Sequence, residues 1–329
     1  MNLNELQRRI INNYQGGFPL LESPYRVMAD ELGCSEADII DSLEQLLSSG
    51  TLSRFGPLYD AVQLGGGLTL AALCVPEHRY EAVTDLVNAF PQVAHNYRRE
   101  HELNMWFVVA TDTAEQIEET LQAISKATGL KVYDFPKQQE FYIGLWLHLD
   151  EHGGVSTRPV PDKQITRGEH RATEALDRAI IRHSQGGLVL QSNPWSAIAA
   201  DIGCSSQQVL KRVASMQASG MIRRIGAVPN HYRLGLRANG MTVWDVPDEM
   251  ADSAGQRIGE LDFVSHCYLR PRRLPAWPYN LFAMVHGHDR DEVINKTELI
   301  TELLAGNCRA HEILFSSAIL KKTGLRLAA

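Results

Sequence analysis

The feature that most constrains this chain is that its sequence is repeated. Gly33-Cys34-Ser35 returns as Gly203-Cys204-Ser205, and Ser49-Gly50 returns as Ser219-Gly220, both at an offset of 170 residues with no gap between them. A repeat of this length at a constant offset indicates two copies of one domain fused head to tail. The chain can therefore be aligned with itself, and the positions at which the halves differ are candidates for a functional difference between them.

The composition is that of an ordinary globular protein, with 329 residues, 44% hydrophobic residues and a net charge of −7. Neither secretion nor membrane spanning is expected, because the sequence shows no charged-then-apolar leader and no apolar run near 18 residues. The five dispersed cysteines form no CxxC pair, which predicts a reducing cytoplasm and no intrinsic metal site. The negative charge weighs against nonspecific nucleic-acid binding, which depends on Lys and Arg neutralising phosphates.

Each half is predicted to have two parts, so the fold class is α+β, duplicated in tandem. The first part shows the helix, helix, Gly-containing turn and helix of a winged helix-turn-helix. The second part has the order βαββαβ, which is the ferredoxin-like order, and its last strand in the first half is expected over Lys131–Tyr142. The predicted boundaries are 1–59 and 171–229 for the winged helix-turn-helix units, 60–149 and 230–329 for the ferredoxin-like units, and 150–170 for a linker rich in Gly, Pro, Ser and Thr.

The winged helices lack the charge expected of DNA readers, since a recognition helix that enters the major groove should be positive. In the first copy, residues 36–50 contain four acidic residues and no basic one. The second copy has two basic residues in this helix and two in its wing, namely Lys211, Arg212, Arg223 and Arg224. We therefore predict that these units serve as scaffold or interface and that nucleic acid is not a partner.

One predicted strand of the first half carries a polar face. Residues of one parity share a face of a strand, so His95, Tyr97 and Arg99 should point the same way, away from Arg98. A buried Arg needs an anionic partner, and Arg grips carboxylates with paired hydrogen bonds. His transfers protons near neutral pH. The face therefore predicts an anionic, planar ligand, while the alternative is that the arginine pairs with an acidic residue of a neighbouring element.

The second half repeats this face as His266, Tyr268 and Arg270. In the turn that follows, the halves diverge. The first half has His101, which has no clear counterpart, and the second half has Arg272-Arg273 in a longer turn. If His101 is an acid catalyst, the first half holds the main catalytic site and the second half mostly binds or closes it.

A winged helix followed by a βαββαβ unit resembles the Lrp/AsnC family of regulators, and this resemblance covers nearly the whole chain twice. Two stretches are more specific, namely HNYRREHELNMWF at 95–107 and CYLRPRRLPAWPYNLF at 267–282. They resemble the sirohaem decarboxylase family, with a D-type half followed by an L-type half. Members of that family have the Lrp/AsnC fold but are enzymes. The resemblance implies removal of CO2 from the acetate groups on C12 and C18 of sirohaem, which gives 12,18-didecarboxysirohaem for haem d1 biosynthesis.

In such an enzyme we expect His101, His95 and Arg99 to be catalytic, with the two histidines transferring a proton or facing the substrate iron. The residues expected to bind substrate are Tyr97, Arg98, Trp106, His266, Tyr268, Arg270, Arg272 and Arg273. No added cofactor is expected, because sirohaem brings its own iron and conjugated ring.

Two regulatory functions are the alternatives, a tetrapyrrole-sensing transcription regulator and an amino-acid-responsive regulator of the Lrp type. The acidic recognition helix argues against both. Because the βαββαβ units of this family pair through their sheets, the two halves are expected to pair within one chain. The sequence leaves open a further homodimer or an association with paralogous halves.

Overall fold

The computed structural model describes residues 3–161 and 171–322, which form two compact units. One unit contains residues 3–64, 146–161 and 171–235, and the other contains residues 65–145 and 236–322. Each unit therefore takes segments from both halves of the repeat. Within the described ranges, no helix is long and apolar enough to cross a membrane.

The helices follow the predicted order in each half. Ser35 and Ser205 begin the third helix of each copy, where each side chain accepts a hydrogen bond from a backbone N–H of the first turn. Gly33 and Gly203 end the preceding helix with φ near +70°, a conformation that glycine adopts without strain. The helices are α1 (Glu5–Asn13), α2 (Pro24–Leu32), α3 (Glu36–Ser48), α4 (Tyr80–Ala89), α5 (Gln116–Thr128), α6 (Ala175–Ser184), α7 (Pro194–Ile202), α8 (Ser206–Ala218), α9 (His231–Leu234), α10 (Ala251–Gly259) and α11 (Arg290–Leu304).

The described strands form three sheets. The strands are β1 (Leu52–Tyr59), β2 (Gly67–Leu73), β3 (Val93–Arg99), β4 (Met105–Thr111), β5 (Tyr133–Pro136), β6 (Gln139–Ile143), β7 (Trp146–Leu149), β8 (Val155–Arg158), β9 (Ile222–Pro229), β10 (Ala238–Asp245), β11 (Val264–Leu269), β12 (Leu281–Gly287) and β13 (Ala310–Lys322). Strands β1 and β9 form one pair and β7 and β8 another. The remaining strands form a sheet in the order β5-β2-β4-β3-β13-β10-β12-β11-β6.

In the winged-helix unit, the two predicted wings pair with each other, since β1 runs antiparallel to β9. The basic residues noted in the second copy are partly engaged by carboxylates. Arg212 donates two hydrogen bonds to Asp177, of 2.9 and 2.7 Å, and Arg223 lies 2.5 Å from Asp60. These two guanidinium groups therefore hold the unit together internally.

The large sheet joins the two halves by exchanging their last strands. Strand β13 of the second half pairs with β10 and then with β3 of the first half, and β6 of the first half pairs with β11 of the second. The single strand predicted over Lys131–Tyr142 was wrong, because two strands lie there, β5 and β6, at opposite edges of the sheet. Pro136, which has no N–H to donate to a ladder, ends β5.

The predicted linker over 150–170 lies partly outside the described residues, because these omit 162–170. Its first part differs from the prediction in that β8 pairs with β7 as a hairpin. Asp150 closes the turn of this hairpin, since its Oδ1 accepts hydrogen bonds of 2.8 Å from the N–H groups of His152 and Gly154. The first part of the predicted linker therefore contains regular structure, since β8 spans Val155–Arg158.

The large sheet has two different faces. One face packs on helices, as Val83 of α4 against Phe107 of β4 shows, and we call it the helix face. The other, which we call the inner face, buries an aromatic cluster that includes Trp106, Phe135 and Phe282 from both halves. Opposed residues of an antiparallel pair share a face, so the register assigns every residue of β3 and β11 to one side or the other.

Candidate functional site

The structure confirms that His95, Tyr97 and Arg99 share one face of their strand. Tyr97 lies opposite Trp106 in the register of β3 and β4, which places all three on the inner face. The His95 and Tyr97 rings stack with centroids 6.2 Å apart, and the Arg99 guanidinium lies 5.7 Å from the Tyr97 centroid. Arg99 is 7% exposed and donates a 2.6 Å hydrogen bond to the Leu314 carbonyl. We call these three residues the first row.

The second row consists of His266 and Tyr268 on β11 and Arg270 directly after it, and it repeats this arrangement. The two ring centroids are 6.0 Å apart, and the Arg270 guanidinium lies 5.0 Å from the Tyr268 centroid. Arg270 donates a hydrogen bond to the carbonyl of Phe135, in the first half, just as Arg99 donates to Leu314 in the second. Each buried arginine is therefore fixed by a backbone carbonyl of the opposite half, on β13 for Arg99 and on β5 for Arg270.

Arg270 is a buried cation with remaining hydrogen-bonding capacity. Burial lowers its pKa to about 10, which still leaves the group charged near neutral pH. Its Nε has no hydrogen-bond partner among the described residues, and within those residues its one hydrogen bond goes to a carbonyl oxygen. No acidic side chain is hydrogen-bonded to this arginine among the described residues, although the negative charge of Asp134 acts on it and partly offsets the effect of burial on its pKa. A buried guanidinium in this state favours binding of an anion.

His95 is held in its neutral form. Burial and the nearby positive charge of Lys322 lower the pKa of His95 to about 4. Its Nδ1 is buried and has no hydrogen-bond partner among the described residues. A neutral imidazole can accept a proton or bind a metal ion through a ring nitrogen.

His101 belongs to a different cluster, made with residues of the second half. Its Nδ1 accepts a 2.8 Å hydrogen bond from the Leu103 N–H, so in the neutral ring Nε2 carries the proton. Nε2 lies 3.3 Å from Oε2 of Glu312, whose other oxygen accepts a 2.5 Å hydrogen bond from the Tyr279 hydroxyl. The ring also meets the edge of Trp277, at 5.3 Å between centroids. We call His101, Glu312 and Tyr279 the His101 cluster.

Sequence reasoning missed Glu312 and Tyr279. Glu312 lies on β13, 211 positions along the chain from His101, and only the pairing of β13 with β10 brings it to the inner face. Tyr279 follows the longer turn of the second half, where its hydroxyl donates to Glu312. Burial, and then this carboxylate, raise the pKa of Tyr279. No local pattern around Glu312 signals this contact.

Two residues predicted to bind substrate lie elsewhere. Arg98 is on the helix face, where it forms a 2.7 Å ion pair with Glu77 and lies 4.2 Å over the Tyr80 ring. Trp106 is fully buried in the inner aromatic cluster, and its indole N–H donates a 2.6 Å hydrogen bond to the Leu103 carbonyl. Strand parity places Arg98 on the wrong side, and close packing makes Trp106 a core residue with no exposed surface for stacking.

The two arginines of the second-half turn also differ from each other. Arg272 is bound within its own half, by hydrogen bonds to Asp245 (2.9 Å), Asp248 and the Pro278 carbonyl (2.8 Å). Arg273 donates a 2.6 Å hydrogen bond to the Asp134 carbonyl and borders a cavity of about 270 Å³. This volume suits a carboxylate side chain of a ligand better than a whole macrocycle. The cavity is lined by Lys131, Val132, Tyr133, Asp134, Arg273 and Leu274.

Two family models match both halves of the chain. The AsnC-like ligand binding domain matches residues 63–142 and 233–321. The siroheme decarboxylase NirDL-like HTH domain matches residues 7–52 and 177–223. Each model matches twice, in agreement with the duplication seen in the sequence.

Individual relatives are similar to the whole chain or to half of it. The siroheme decarboxylase NirDL subunit of Paracoccus pantotrophus is 32% identical over 332 residues, which cover 100% of this chain and 99% of the relative. The siroheme decarboxylase NirH subunit of the same organism is 54% identical over 156 residues, which cover 47% of this chain and 97% of the relative. The crystal structure of the siroheme decarboxylase NirDL in complex with an iron-uroporphyrin III analogue is 27% identical with a TM-score of 0.73, covering 98% of this chain and 93% of that one.

Proposed function

The chain belongs to the sirohaem decarboxylase family and is a decarboxylating enzyme, and we propose that it removes CO2 from the acetate groups on C12 and C18 of sirohaem to give 12,18-didecarboxysirohaem in haem d1 biosynthesis. The solved relative bound to an iron-uroporphyrin III analogue supports a tetrapyrrole ligand. The observation in this chain that carries the proposal is the pair of rows on the inner face, each with an imidazole, an aromatic ring and a buried guanidinium.

The rows supply what a planar polycarboxylate requires. Arg99 and Arg270 hold substrate carboxylates, and their burial strengthens such ion pairs because the surroundings have a low dielectric constant. Tyr97 and Tyr268 present ring faces beside them. Arg273 offers a further cation at the neighbouring cavity. A substrate acetate that enters this less polar region loses CO2 more readily, because water no longer stabilises the negative charge of its carboxylate.

The reaction breaks the bond between the acetate methylene and its carboxyl carbon. CO2 leaves, the electron pair passes into the conjugated macrocycle, and one proton added to the methylene gives a methyl group. We assign the donation of this proton to Nε2–H of His101, which the Glu312 carboxylate orients from 3.3 Å and which takes up a new proton from solvent after each turnover. His95, neutral and partly buried, is assigned to the substrate iron.

No cofactor is required, because the substrate's ring accepts the electron pair. The winged helices act as scaffold, which the internal ion pairs of Arg212 and Arg223 support. The relative named as a NirH subunit supports association with a paralogous chain, and a homodimer is the other assembly. The five free cysteines support a cytoplasmic location.

The test is an anaerobic incubation of the purified chain with sirohaem, alone and with a NirDL-type paralogue. We expect release of two CO2 per macrocycle and a product with two acetates replaced by methyl groups, measured by headspace CO2 and by mass spectrometry. A gel-shift assay runs in parallel. Sequence-specific DNA retention that responds to sirohaem, without CO2 release in either incubation, would contradict the proposal in favour of a regulator.

A further inference from the structure

A chain of hydrogen bonds runs behind the second row, from His266 into the protein. His266 Nδ1 lies 2.8 Å from the hydroxyl of Ser265, and this hydroxyl lies 2.6 Å from Nε2 of His286. His286 Nδ1 in turn is hydrogen-bonded to Oδ1 of Asn239. The three residues behind His266 are 2%, 3% and 5% exposed, in that order. We call Ser265, His286 and Asn239 the relay.

The backbone explains why these side chains meet. Asn239 lies opposite His286 in the register of β10 and β12, so the two share a face. The register of β11 with β12 shifts between Val264 and His266, which leaves Ser265 as an extra residue in the strand. Such a bulge re-aims side chains and is common beside active sites. The Ser265 hydroxyl thereby reaches both histidines.

The relay also has a direction. The Asn239 side chain donates from Nδ2 to the Leu236 carbonyl, which leaves its Oδ1 to accept from Nδ1–H of His286. In a neutral His286, Nε2 then accepts from the Ser265 hydroxyl. The Ser265 oxygen is left to accept from Nδ1–H of His266. Followed to its end, the chain makes Nε2 the unprotonated nitrogen of His266.

The first half has no such relay, although its backbone is the same. Leu68 lies opposite Ala110 in the register of β2 and β4, where the second half has Asn239 and His286. Ala94 occupies the register shift of β3, where the second half has Ser265. Three apolar residues thus stand where the second half has three polar ones. In agreement with this, Nδ1 of His95 has no hydrogen-bond partner among the described residues.

We propose that the relay positions His266 in its Nδ1–H tautomer, so that Nε2 serves as a proton acceptor for a carboxyl group of the substrate. This role rests on the proposed decarboxylase function. A carboxyl group that is not held by Arg99 or Arg270 and enters this buried region favours its protonated form, and it must lose that proton before CO2 can leave. His266 Nε2 takes the proton, the acid becomes a carboxylate, and Ser265 stabilises the resulting imidazolium through Nδ1–H. The relay residues touch no substrate and act through His266.

The tautomer can be measured without any substrate. In protein labelled with 15N-histidine, we expect the neutral His266 ring to show a protonated Nδ1 and an unprotonated Nε2, with its signals identified by their loss in His266→Gln. Ser265→Ala installs the residue found in the first half and should shift His266 towards the Nε2–H tautomer. Ser265→Thr keeps the hydroxyl and should preserve the native tautomer. A wild-type His266 protonated on Nε2, or a tautomer that Ser265→Ala leaves unchanged, overturns the proposal.

Activity supplies the second readout. For Ser265→Ala and Asn239→Leu we expect kcat to fall by about tenfold to a hundredfold with KM changed less than about twofold, as for loss of a residue that orients another. Ser265→Thr should restore most of kcat. An unchanged kcat in Ser265→Ala contradicts the assigned role even if the tautomer shifts. Because the NMR experiment uses substrate-free protein, failure of the relay and failure of the decarboxylase assignment are separately visible.

Discussion

The first and second rows have the same geometry and different surroundings. In both, His, Tyr and Arg follow one another along a strand, and the arginine donates to a carbonyl of the other half. Behind them, Nδ1 of His95 has no hydrogen-bond partner among the described residues, whereas Nδ1 of His266 is hydrogen-bonded to Ser265. The His101 cluster exists beside the first row alone, as far as the described residues show. The two halves therefore share the order of His, Tyr and Arg in each row. They differ in the residues that hydrogen-bond to the histidines and so set their protonation.

The largest expected effect is on kcat, after removal of the proposed proton donor of the first half, His101. His101→Ala should lower kcat for CO2 loss by about 10² to 10⁴, the usual range for a general acid. His266→Ala should lower it less if the first half holds the main catalytic site. Single-turnover CO2 release from sirohaem under anaerobic conditions measures both.

His101→Gln is the matched control for that comparison, because its amide can still donate towards Glu312 but cannot transfer a proton. It should keep substrate affinity and lose kcat. Equal losses in His101→Ala and His266→Ala would sink the idea that the halves have unequal roles.

The next effect is on stability and distinguishes a core residue from a ligand-facing one. Trp106→Ala should lower the free energy of unfolding by about 3–5 kcal/mol, since the ring is fully buried among aromatic neighbours. The Tyr97 ring is only partly buried. Tyr97→Ala should therefore lower the free energy of unfolding less than Trp106→Ala does, and weaken sirohaem binding more. Urea unfolding measures the free energy of unfolding, and spectrophotometric titration measures the affinity for sirohaem. A Trp106→Ala protein of native stability and weakened affinity would restore Trp106 as a binding residue.

Substrate affinity tests the buried arginines. Arg99→Ala and Arg270→Ala should each weaken sirohaem binding by about tenfold to a hundredfold, as expected for loss of a charge-assisted hydrogen bond. Arg98→Ala is the neighbouring control on the helix face, where an exposed ion pair with Glu77 contributes little. Its effect should stay below about twofold in a spectrophotometric titration. Comparable losses at Arg98 and Arg99 would mean that strand parity does not define the site.

The smallest effect concerns pH. The pKa of His95 is 6.5 in its unperturbed state and about 4 in the folded protein. Between these values the unfolded chain binds a proton that the folded chain excludes, so stability falls as the pH drops from 6.5 to 4 and is unaffected above 6.5. In His95→Asn, the decrease in the free energy of unfolding between pH 6.5 and 4 should be smaller by roughly 1–3 kcal/mol. Urea midpoints measured across pH 4–7.5 check it, with the exposed His152→Asn as control; an unchanged slope in His95→Asn refutes the assignment.

Much of the fold was readable from the sequence because its signals are local. Apolar spacing and capping residues such as Ser35 predicted the helices, and the constant offset of 170 residues indicated the duplication. The parity of His95, Tyr97 and Arg99 followed from the two-residue period of a strand and is confirmed. The structure places Arg98 on the helix face, away from the first row, and buries Trp106 in the inner aromatic cluster. Their assignment to substrate binding stays a prediction.

The sequence by itself determined that there are two copies of one domain and which residues of each copy share a face. Only the tertiary structure decided that the last strands are exchanged, that Glu312 of the second half reaches His101 of the first, and that Ser265 sits on a bulge between two histidines. The reason is physical. A strand's two faces are set by its own backbone, but its hydrogen-bonding partners are set by whichever edge completes the sheet, and no local pattern specifies that edge.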